Sequence, residues 1–167
     1  MKSNSPFDLS KDAYQQARIK HWDAVAIRRD HWHGAGDWYH RRLNQIYRIL
    51  ITPGQRVLEI GCGIGDLLAE LQPAHGVGVD FSSEMIARAR AKYPALEFVQ
   101  ADGHNLAGVK GPFDVIIFSD AVNDLWDVQT AFEQVCHLCT PGTRLILNFY
   151  SHLWQLPLSL AQSFGLA

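Results

Sequence analysis

Residues 57–68, VLEIGCGIGDLL, decide the fold that we expect of this chain. A short apolar run ends around Glu59, glycines follow at positions 61, 63 and 65, and a helix-forming stretch begins after them. Glycine tolerates positive φ angles and has no Cβ atom, so a ligand can come close to the main chain of such a turn. The segment therefore predicts a parallel strand that turns tightly into a helix and leaves its backbone open to a nucleoside-bearing ligand.

The regions on either side continue an alternation of strands and helices. Ser82 or Ser83, and Asp127, are placed to cap two of the helices, and the run Gly34-Ala35-Gly36-Asp37 breaks the chain between the first two. Because residues 115–118 are all apolar, we expect an α/β fold with a doubly wound, Rossmann-like parallel sheet covered on both faces. The pattern predicts strands at 57–60, 77–81, 96–101, 114–119 and 144–150, and helices at 9–33, 38–50, 65–71, 82–93, 128–138 and 152–164.

Length and composition describe one globular domain. The chain has 167 residues, 47% of them hydrophobic, and its 15 basic and 17 acidic residues give a net charge of −2. No long basic run indicates a nucleic-acid partner, and no apolar segment approaches the ~20 residues that span a bilayer. The N-terminus is polar, and the three cysteines are too few for a disulfide framework. We therefore expect a cytoplasmic protein with reduced thiols and with neither a nucleic-acid nor a membrane partner.

The spacing of the glycine turn argues against a dinucleotide ligand. A dinucleotide turn has glycine at its first, third and sixth positions, which would require glycine at position 66. The residue there is Asp66, and the third glycine is Gly65. A carboxylate near the helix N-terminus opposes a pyrophosphate, which would otherwise interact with the positive end of the helix dipole. A ligand without phosphate suits this turn better.

Two further carboxylates follow predicted strands at the same edge of the sheet. Asp80 ends the second strand, about 20 residues beyond the glycine turn, where a carboxylate can accept hydrogen bonds from both ribose hydroxyls. Phe81 and Met85 come next and offer apolar surface to an adenine ring. Asp102 follows the third strand and can accept the adenine amino group, while Gly103 keeps the adjacent backbone open.

Four segments together resemble the successive motifs of the class I S-adenosylmethionine-dependent methyltransferases. The similarity covers about residues 38–150, and the motifs have the order and spacing of that family. The resemblance implies S-adenosylmethionine as the cofactor and a strand order of 3-2-1-4-5, without the last two strands of the family's sheet. The segments are EIGCGIG at 59–65, GVDFS at 78–82, QAD at 100–102 and FDVII at 113–117.

The resemblance also implies roles for individual residues. Asp80 would hold the ribose and Asp102 the adenine, while Glu59 would organise the turn and reach the methionine ammonium through water. The glycine turn would cradle the methionine portion, with Cys62 as a small buried residue of the turn. The residues implied for that turn are Gly61, Cys62, Gly63 and Gly65.

The segment after the fourth strand is expected to face the transferable methyl group. Ser119 or Asp120 would contact the sulfonium side of the cofactor, and Asn123 or Asp124 would face the acceptor. A general base is needed only where the acceptor must lose a proton, as a hydroxyl must. Asp120 is the candidate for that catalytic role; a capping or solvated carboxylate is the alternative. In the N-terminal helices, Tyr39 is expected to touch cofactor or substrate from a lid.

Residues 1–167 are expected to form one methyltransferase domain, with a helical lid at 1–50 and a cofactor-binding core at 51–167. A narrower resemblance is to bacterial proteins that join a methyltransferase to a family 2 glycosyltransferase. We therefore expect a methyltransferase with a small-molecule or glycan-related acceptor. The alternative is a non-catalytic cofactor-binding module of a larger, glycosyltransferase-fused protein. A nucleotide-dependent oxidoreductase is disfavoured by Asp66. We also expect the chain to be a piece of a longer protein, so that its fifth strand is an open edge inclined to pair with a second copy.

A metal site is not expected. Cys136-His137-Leu138-Cys139 could be mistaken for half of a zinc site, but no second pair of ligands stands at zinc spacing. The sequence favours two core thiols on one amphipathic helix.

Overall fold

The computed structural model describes residues 10–29 and 35–149. Its five strands and the helices between them confirm the predicted elements, with ends that differ by at most two residues. The first two helices are followed by strands that alternate with short helices, and a 3₁₀ turn precedes the last helix. In chain order the elements are α1 (Lys11–Arg29), α2 (Ala35–Leu50), β1 (Arg56–Ile60), α3 (Asp66–Glu70), β2 (His75–Asp80), α4 (Ser83–Lys92), β3 (Glu97–Gln100), β4 (Val115–Ser119), the 3₁₀ turn Val122–Asp124, α5 (Val128–Cys136) and β5 (Arg144–Asn148).

Two sequence-based expectations need correction, and a third concerns residues that the structure does not describe. α2 begins at Ala35, so three residues of the predicted break belong to the helix. Cys136 and Cys139 are exposed rather than core thiols, because the buried face of α5 is formed by Ala131 and Val135 and Cys139 lies beyond the end of the helix. The helix expected at 152–164 lies outside the described residues.

The strands form one parallel sheet in the order β3-β2-β1-β4-β5, which confirms the predicted order. Successive side chains of β1 point to opposite faces of the sheet and pack into two separate hydrophobic clusters. Val57 packs into one cluster with residues of α2, α3 and α4, and Leu58 packs into the other with residues of α5. Because both faces of the central strands are covered, β4 is apolar at each of its first four positions, as the sequence predicted.

The helices begin where the sequence places capping side chains. Ser82 caps α4 by accepting a hydrogen bond from the Met85 N–H at 3.1 Å. Asp127 caps α5 and accepts from the backbone N–H groups of Gln129 and Thr130. Since all five strands are parallel, their carboxyl ends lie along one edge of the sheet, and the loops that follow them meet there.

Within residues 10–29 and 35–149, no helix has both the length and the apolar character needed to cross a bilayer.

Candidate functional site

A cavity of about 450 Å³ lies at the carboxyl edge of the sheet, between the strand ends and helices α1 and α2. It brings together most of the residues singled out from the sequence. Gly65 and Tyr39 do not line it: Gly65 packs against Phe98, and Tyr39 contacts the site through Asp120. The predicted residues that line the cavity are Glu59, Gly61, Cys62, Gly63, Asp80, Phe81, Met85, Asp102, Gly103, Ser119 and Asp120.

Glycine is required at the three positions of the turn for different structural reasons. All three have positive φ values, of 75°, 53° and 81° in chain order. A Cβ atom on Gly61 would lie 2.6 Å from the Ala121 Cβ, and one on Gly65 would lie 2.6 Å from the Phe98 ring, so these two glycines permit close packing. A Cβ atom on Gly63 would meet nothing within 4 Å. Gly63 therefore presents bare backbone to open space, as a turn that accommodates a ligand must.

Asp80 ties the glycine turn to the end of β2. Its Oδ2 accepts the Gly63 N–H and its Oδ1 accepts the Ser82 N–H, both at 2.9 Å. Burial raises the pKa of Asp80, and the two backbone hydrogen bonds oppose that rise. Each carboxylate oxygen can accept more than one hydrogen bond, so an oriented Asp80 retains capacity for the hydroxyl groups of a ligand.

Glu59 is a buried carboxylate with an incomplete set of hydrogen bonds. It is 3% exposed, and burial raises its pKa well above the ordinary value, opposed by a hydrogen bond from the Leu68 backbone. Its Oε2 is buried and has no hydrogen-bond partner. A buried, unpartnered carboxylate oxygen is costly to the fold. Placed beside the glycine turn, it suits a cationic group that arrives with a ligand, directly or through water.

Asp66 is the first residue of α3, and its carboxylate has two hydrogen-bond partners. Its Oδ1 accepts hydrogen bonds from Lys92 Nζ at 2.7 Å and from the Tyr93 hydroxyl at 2.8 Å. The negative charge that argued against pyrophosphate is therefore partly offset by Lys92. The stronger argument is now the cavity as a whole, which is lined by six other carboxyl-bearing residues: Glu59, Glu70, Asp80, Asp102, Asp120 and Asp124.

Asp102 is held by two neighbours. Its Oδ1 accepts the His104 N–H at 2.8 Å and contacts His104 Nδ1, and its Oδ2 accepts from Gln15 Nε2 on α1. Burial raises the pKa of Asp102, but the hydrogen bonds from His104 and Gln15 outweigh that effect and lower it. The carboxylate is therefore ionised at neutral pH and acts as an acceptor of hydrogen bonds.

Asp120 occupies a strained position just after β4. Its φ of 55° is unusual for a residue other than glycine. Tyr39 Oη donates to its Oδ1 at 3.0 Å, and the Asn148 side-chain amide donates to the same oxygen. Asn148 Oδ1 in turn accepts the Tyr47 hydroxyl at 2.7 Å and the Asp120 N–H at 3.3 Å. This network fixes the direction of a half-buried carboxylate whose pKa is raised by burial.

Helix α1 contributes residues to the lining of the cavity and contacts the segment after β4. Arg18 and Trp22 both donate to the side chain of Asp124, the latter at 2.7 Å. Tyr14 packs its ring 5.4 Å from that of Trp126, centroid to centroid. These contacts attach α1 to the segment that follows β4.

Sequence reasoning missed several residues that shape the site. Asn148 could have been found, because it is the last residue of β5 and parallel strands end at one edge. Gln15 carries no motif, and only the packing of α1 brings it to Asp102. His104 could have been found, because an Asp side chain often accepts the backbone N–H two residues further on. Tyr47 is a buried residue of α2, and its hydroxyl donates to Asn148.

The sequence model of the family described as "Methyltransferase domain" matches residues 57–142, slightly more than half of the chain. This chain belongs to that family. The matched residues contain the glycine turn, Asp80, Asp102 and Asp120, and the sheet order is the one that the resemblance to class I S-adenosylmethionine-dependent methyltransferases implied.

Individual relatives resemble parts of the methyltransferase domain. A phosphoethanolamine N-methyltransferase of Triticum aestivum is 32% identical over 107 residues, which is 60% of this chain and 21% of the relative. A demethylmenaquinone methyltransferase of Beutenbergia cavernae is 31% identical over 102 residues, which is 59% of this chain and 42% of the relative. This similarity thus spans less than half of either relative's length.

Among solved structures, the DhpI-SAM-HEP complex superposes with a TM-score of 0.70 at 20% identity, over 90% of this chain and 73% of that one. At that identity the likeness establishes the fold alone.

Proposed function

We propose that this chain is an S-adenosylmethionine-dependent methyltransferase domain that methylates a small-molecule or glycan-related acceptor. The observation that carries the proposal is the set of three carboxylates at the ends of neighbouring strands: Glu59 on β1, Asp80 on β2 and Asp102 after β3 line one cavity with the bare backbone of Gly63.

The three carboxylates match the hydrogen-bond donors of the cofactor. Glu59 has an unpartnered oxygen for the methionine ammonium, Asp80 is oriented toward the glycine turn for the ribose hydroxyls, and Asp102 is an ionised acceptor for the adenine amino group. A ligand with phosphates would bring negative charge to the same carboxylates, which is unfavourable. When bound, S-adenosylmethionine would supply an electrophilic methyl group on a sulfonium.

Asp120 supplies the group that can take a proton from the acceptor. Methyl transfer depends mainly on alignment of the acceptor at short distance, and a base contributes where a hydroxyl or an ammonium must be deprotonated. Tyr39 and Asn148 orient the carboxylate from one side, and burial raises its pKa, which strengthens it as a base. Ser119 and Asp124 line the same end of the cavity.

A small acceptor is in keeping with the cavity and with the relatives. The cavity of about 450 Å³ must hold both cofactor and acceptor, and the relatives are named for methylation of phosphoethanolamine and of demethylmenaquinone. A fused glycosyltransferase and a cytoplasmic location stay predictions.

The test is release of S-adenosylhomocysteine from S-adenosylmethionine in the presence of amine acceptors, beginning with phosphoethanolamine, and of phenol and sugar hydroxyl acceptors. We expect turnover with at least one class. Asp120→Asn should lower turnover by about 100-fold or more, with S-adenosylhomocysteine affinity unchanged.

The matched control for that variant is Asp114→Asn, at the amino end of β4 and away from the cavity, which should keep full activity. Tight cofactor binding without turnover on any acceptor would instead support a binding module. An Asp120→Asn variant as active as the wild type would remove Asp120 from the mechanism.

A further inference from the structure

One face of helix α1 directs polar side chains at the loops that border the cofactor cavity. Gln15 donates to Asp102 after β3, and Asp23 accepts from the Ser82 hydroxyl at the start of α4. Arg18 and Trp22 bind Asp124 from the next turns of the same helix. One face of α1 is therefore docked on the loops that follow β2, β3 and β4.

The two oxygens of Asp102 are occupied in different ways. Oδ1 is taken by His104, whose backbone N–H lies 2.8 Å away and whose ring contacts the same oxygen through Nδ1. His104 Nε2 accepts the Asp127 N–H at 3.1 Å, so Nδ1 is the ring nitrogen that carries the proton and donates to Asp102. This leaves Oδ2 as the oxygen available to a ligand, and Gln15 Nε2 donates to it.

The Gln15 side chain and an adenine ring present the same chemistry to that oxygen. Both carry a planar NH₂ group conjugated to an sp² carbon, and both approach a carboxylate oxygen as an N–H donor. Asp102 is 29% exposed at its side chain and lines the cavity beside Gln15, so the contact lies where a ligand enters.

We propose that Gln15 is an internal substitute for the adenine amino group, so that its side chain occupies the adenine subsite beside Asp102 and is displaced by the cofactor. This inference rests on the proposed function, because Asp102 is the adenine acceptor only if the cavity binds S-adenosylmethionine. An adenine must therefore compete with the Gln15 side chain for Asp102, which lowers the affinity of the free protein for the cofactor.

The other contacts of α1 explain why a single side chain can be exchanged. Arg18, Trp22 and Tyr14 hold the segment around Asp124 and Trp126, which is independent of Asp102. Withdrawal of Gln15 thus leaves the rest of the helix attached. Asp102 Oδ2 has a hydrogen-bond donor both in the free protein, from Gln15, and in the complex, from the adenine amino group. This avoids the free-energy cost of an acceptor without a partner.

The experiment is calorimetric titration of S-adenosylhomocysteine and of its hypoxanthine analogue, S-inosylhomocysteine, into the wild type and into Gln15→Ala and Gln15→Met. The methionine variant keeps the length of the side chain without its donor. We expect both variants to bind S-adenosylhomocysteine about ten- to 100-fold more tightly than the wild type, the range of one hydrogen bond to a charged group. The hypoxanthine analogue has a carbonyl oxygen in place of the amino group, so the gain in its affinity should be smaller.

Gln16→Ala is the matched control, because this neighbouring glutamine is exposed and lies outside the cavity lining. It should bind both ligands as the wild type does. Equal or weaker binding of S-adenosylhomocysteine by both Gln15 variants, with the wild type still binding, would overturn the inference and leave the proposed function intact. Absence of binding by every variant would refute both.

Discussion

At the scale of single residues, the site combines groups that stabilise the fold with groups that do not. Gly61 and Gly65 allow Ala121 and Phe98 to pack closely, whereas Gly63 leaves open space. Glu59 adds a buried carboxylate oxygen without a partner. Residues of the second kind cost stability in the free protein and are expected where a ligand completes the structure.

The clearest consequence concerns Glu59. Its pKa in the folded protein is raised well above 4.5 by burial, so the folded state holds the proton more tightly than the unfolded chain does. The contribution to stability is therefore most favourable at low pH and declines as pH rises from the unfolded pKa toward the folded one. Glu59→Gln keeps the size and an acceptor for the Leu68 N–H but never ionises.

We expect the melting temperature of Glu59→Gln to exceed that of the wild type by an amount that grows as pH rises from 4 to 8, corresponding to about 1 kcal/mol or more at the upper end. The affinity for S-adenosylhomocysteine should fall at least about tenfold, because a charge-assisted hydrogen bond is lost. Thermal melts across this pH range, with calorimetry at pH 7.5, measure both. A variant that is less stable at every pH, or that binds unchanged, would show that Glu59 is only a structural residue.

Individual site residues were harder to predict from the sequence than the strands and helices. Asp80, Asp102 and Asp120 follow strands, and the rule that parallel strands end at one edge is enough to collect them. Gln15 reaches Asp102 through tertiary packing of α1, which leaves no local pattern, whereas His104 binds Asp102 from two positions further along the chain. The exposure of Cys136 was missed because a short helix of nine residues has a narrow buried face, here Ala131 and Val135.

At the scale of elements, the N-caps fix where the helices begin and so where the site loops end. Asp127 accepts two backbone N–H groups of the first turn of α5, at 3.0 and 3.2 Å, and its pKa is lowered by the hydrogen bonds from Thr130. The segment from Ala121 to Asp127 contains Asp124 and Trp126, on which α1 rests.

We expect Asp127→Ala to destabilise the protein more than a substitution on the exposed face of α5 does, because the N-cap hydrogen bonds to two backbone N–H groups are lost. Glu133→Ala, on an exposed position of the same helix, removes only a hydrogen bond to Gln129 and should change stability by less than about 0.5 kcal/mol. Urea denaturation of the two variants and the wild type gives the comparison. Equal stability of Asp127→Ala and the wild type would mean that α5 starts without its cap.

Most elements could be predicted because their signals are local. Continuous apolar runs identified the strands, and Ser82 and Asp127 marked two helix starts that the structure confirms. The beginning of α2 was placed three residues too late, because Gly34 and Gly36 indicate a break and tertiary context overrides such weak preferences.

At the scale of the whole molecule, β5 is the outer strand of the sheet as far as the described residues go. Leu145 and Leu147 on that strand are 43% and 36% exposed. An apolar edge strand offers unpaired backbone groups to another strand. We therefore predict that two copies pair through β5.

Sedimentation or light scattering between about 5 and 200 μM should show a dimer that becomes more populated as the concentration rises. A charge on an edge strand opposes pairing, so Leu147→Lys should shift the protein toward monomer without changing the affinity for S-adenosylhomocysteine. Glu133→Lys on the exposed face of α5 serves as the control. A wild type that remains monomeric at the highest concentration would contradict the prediction.

Calorimetric titration of S-adenosylhomocysteine and of NAD determines whether the cavity at the sheet edge binds an adenosyl cofactor without phosphate. The wild type should bind S-adenosylhomocysteine at least tenfold more tightly than NAD. Gly63→Ala places a methyl group in the open space of the cavity and should weaken binding at least tenfold, while Gly54→Ala shares the positive φ and open surroundings away from the cavity and should bind as the wild type does. Tighter binding of NAD would show that the cavity does not prefer a cofactor without phosphate. Equal binding by Gly63→Ala and Gly54→Ala would show that the cofactor does not approach the backbone of Gly63.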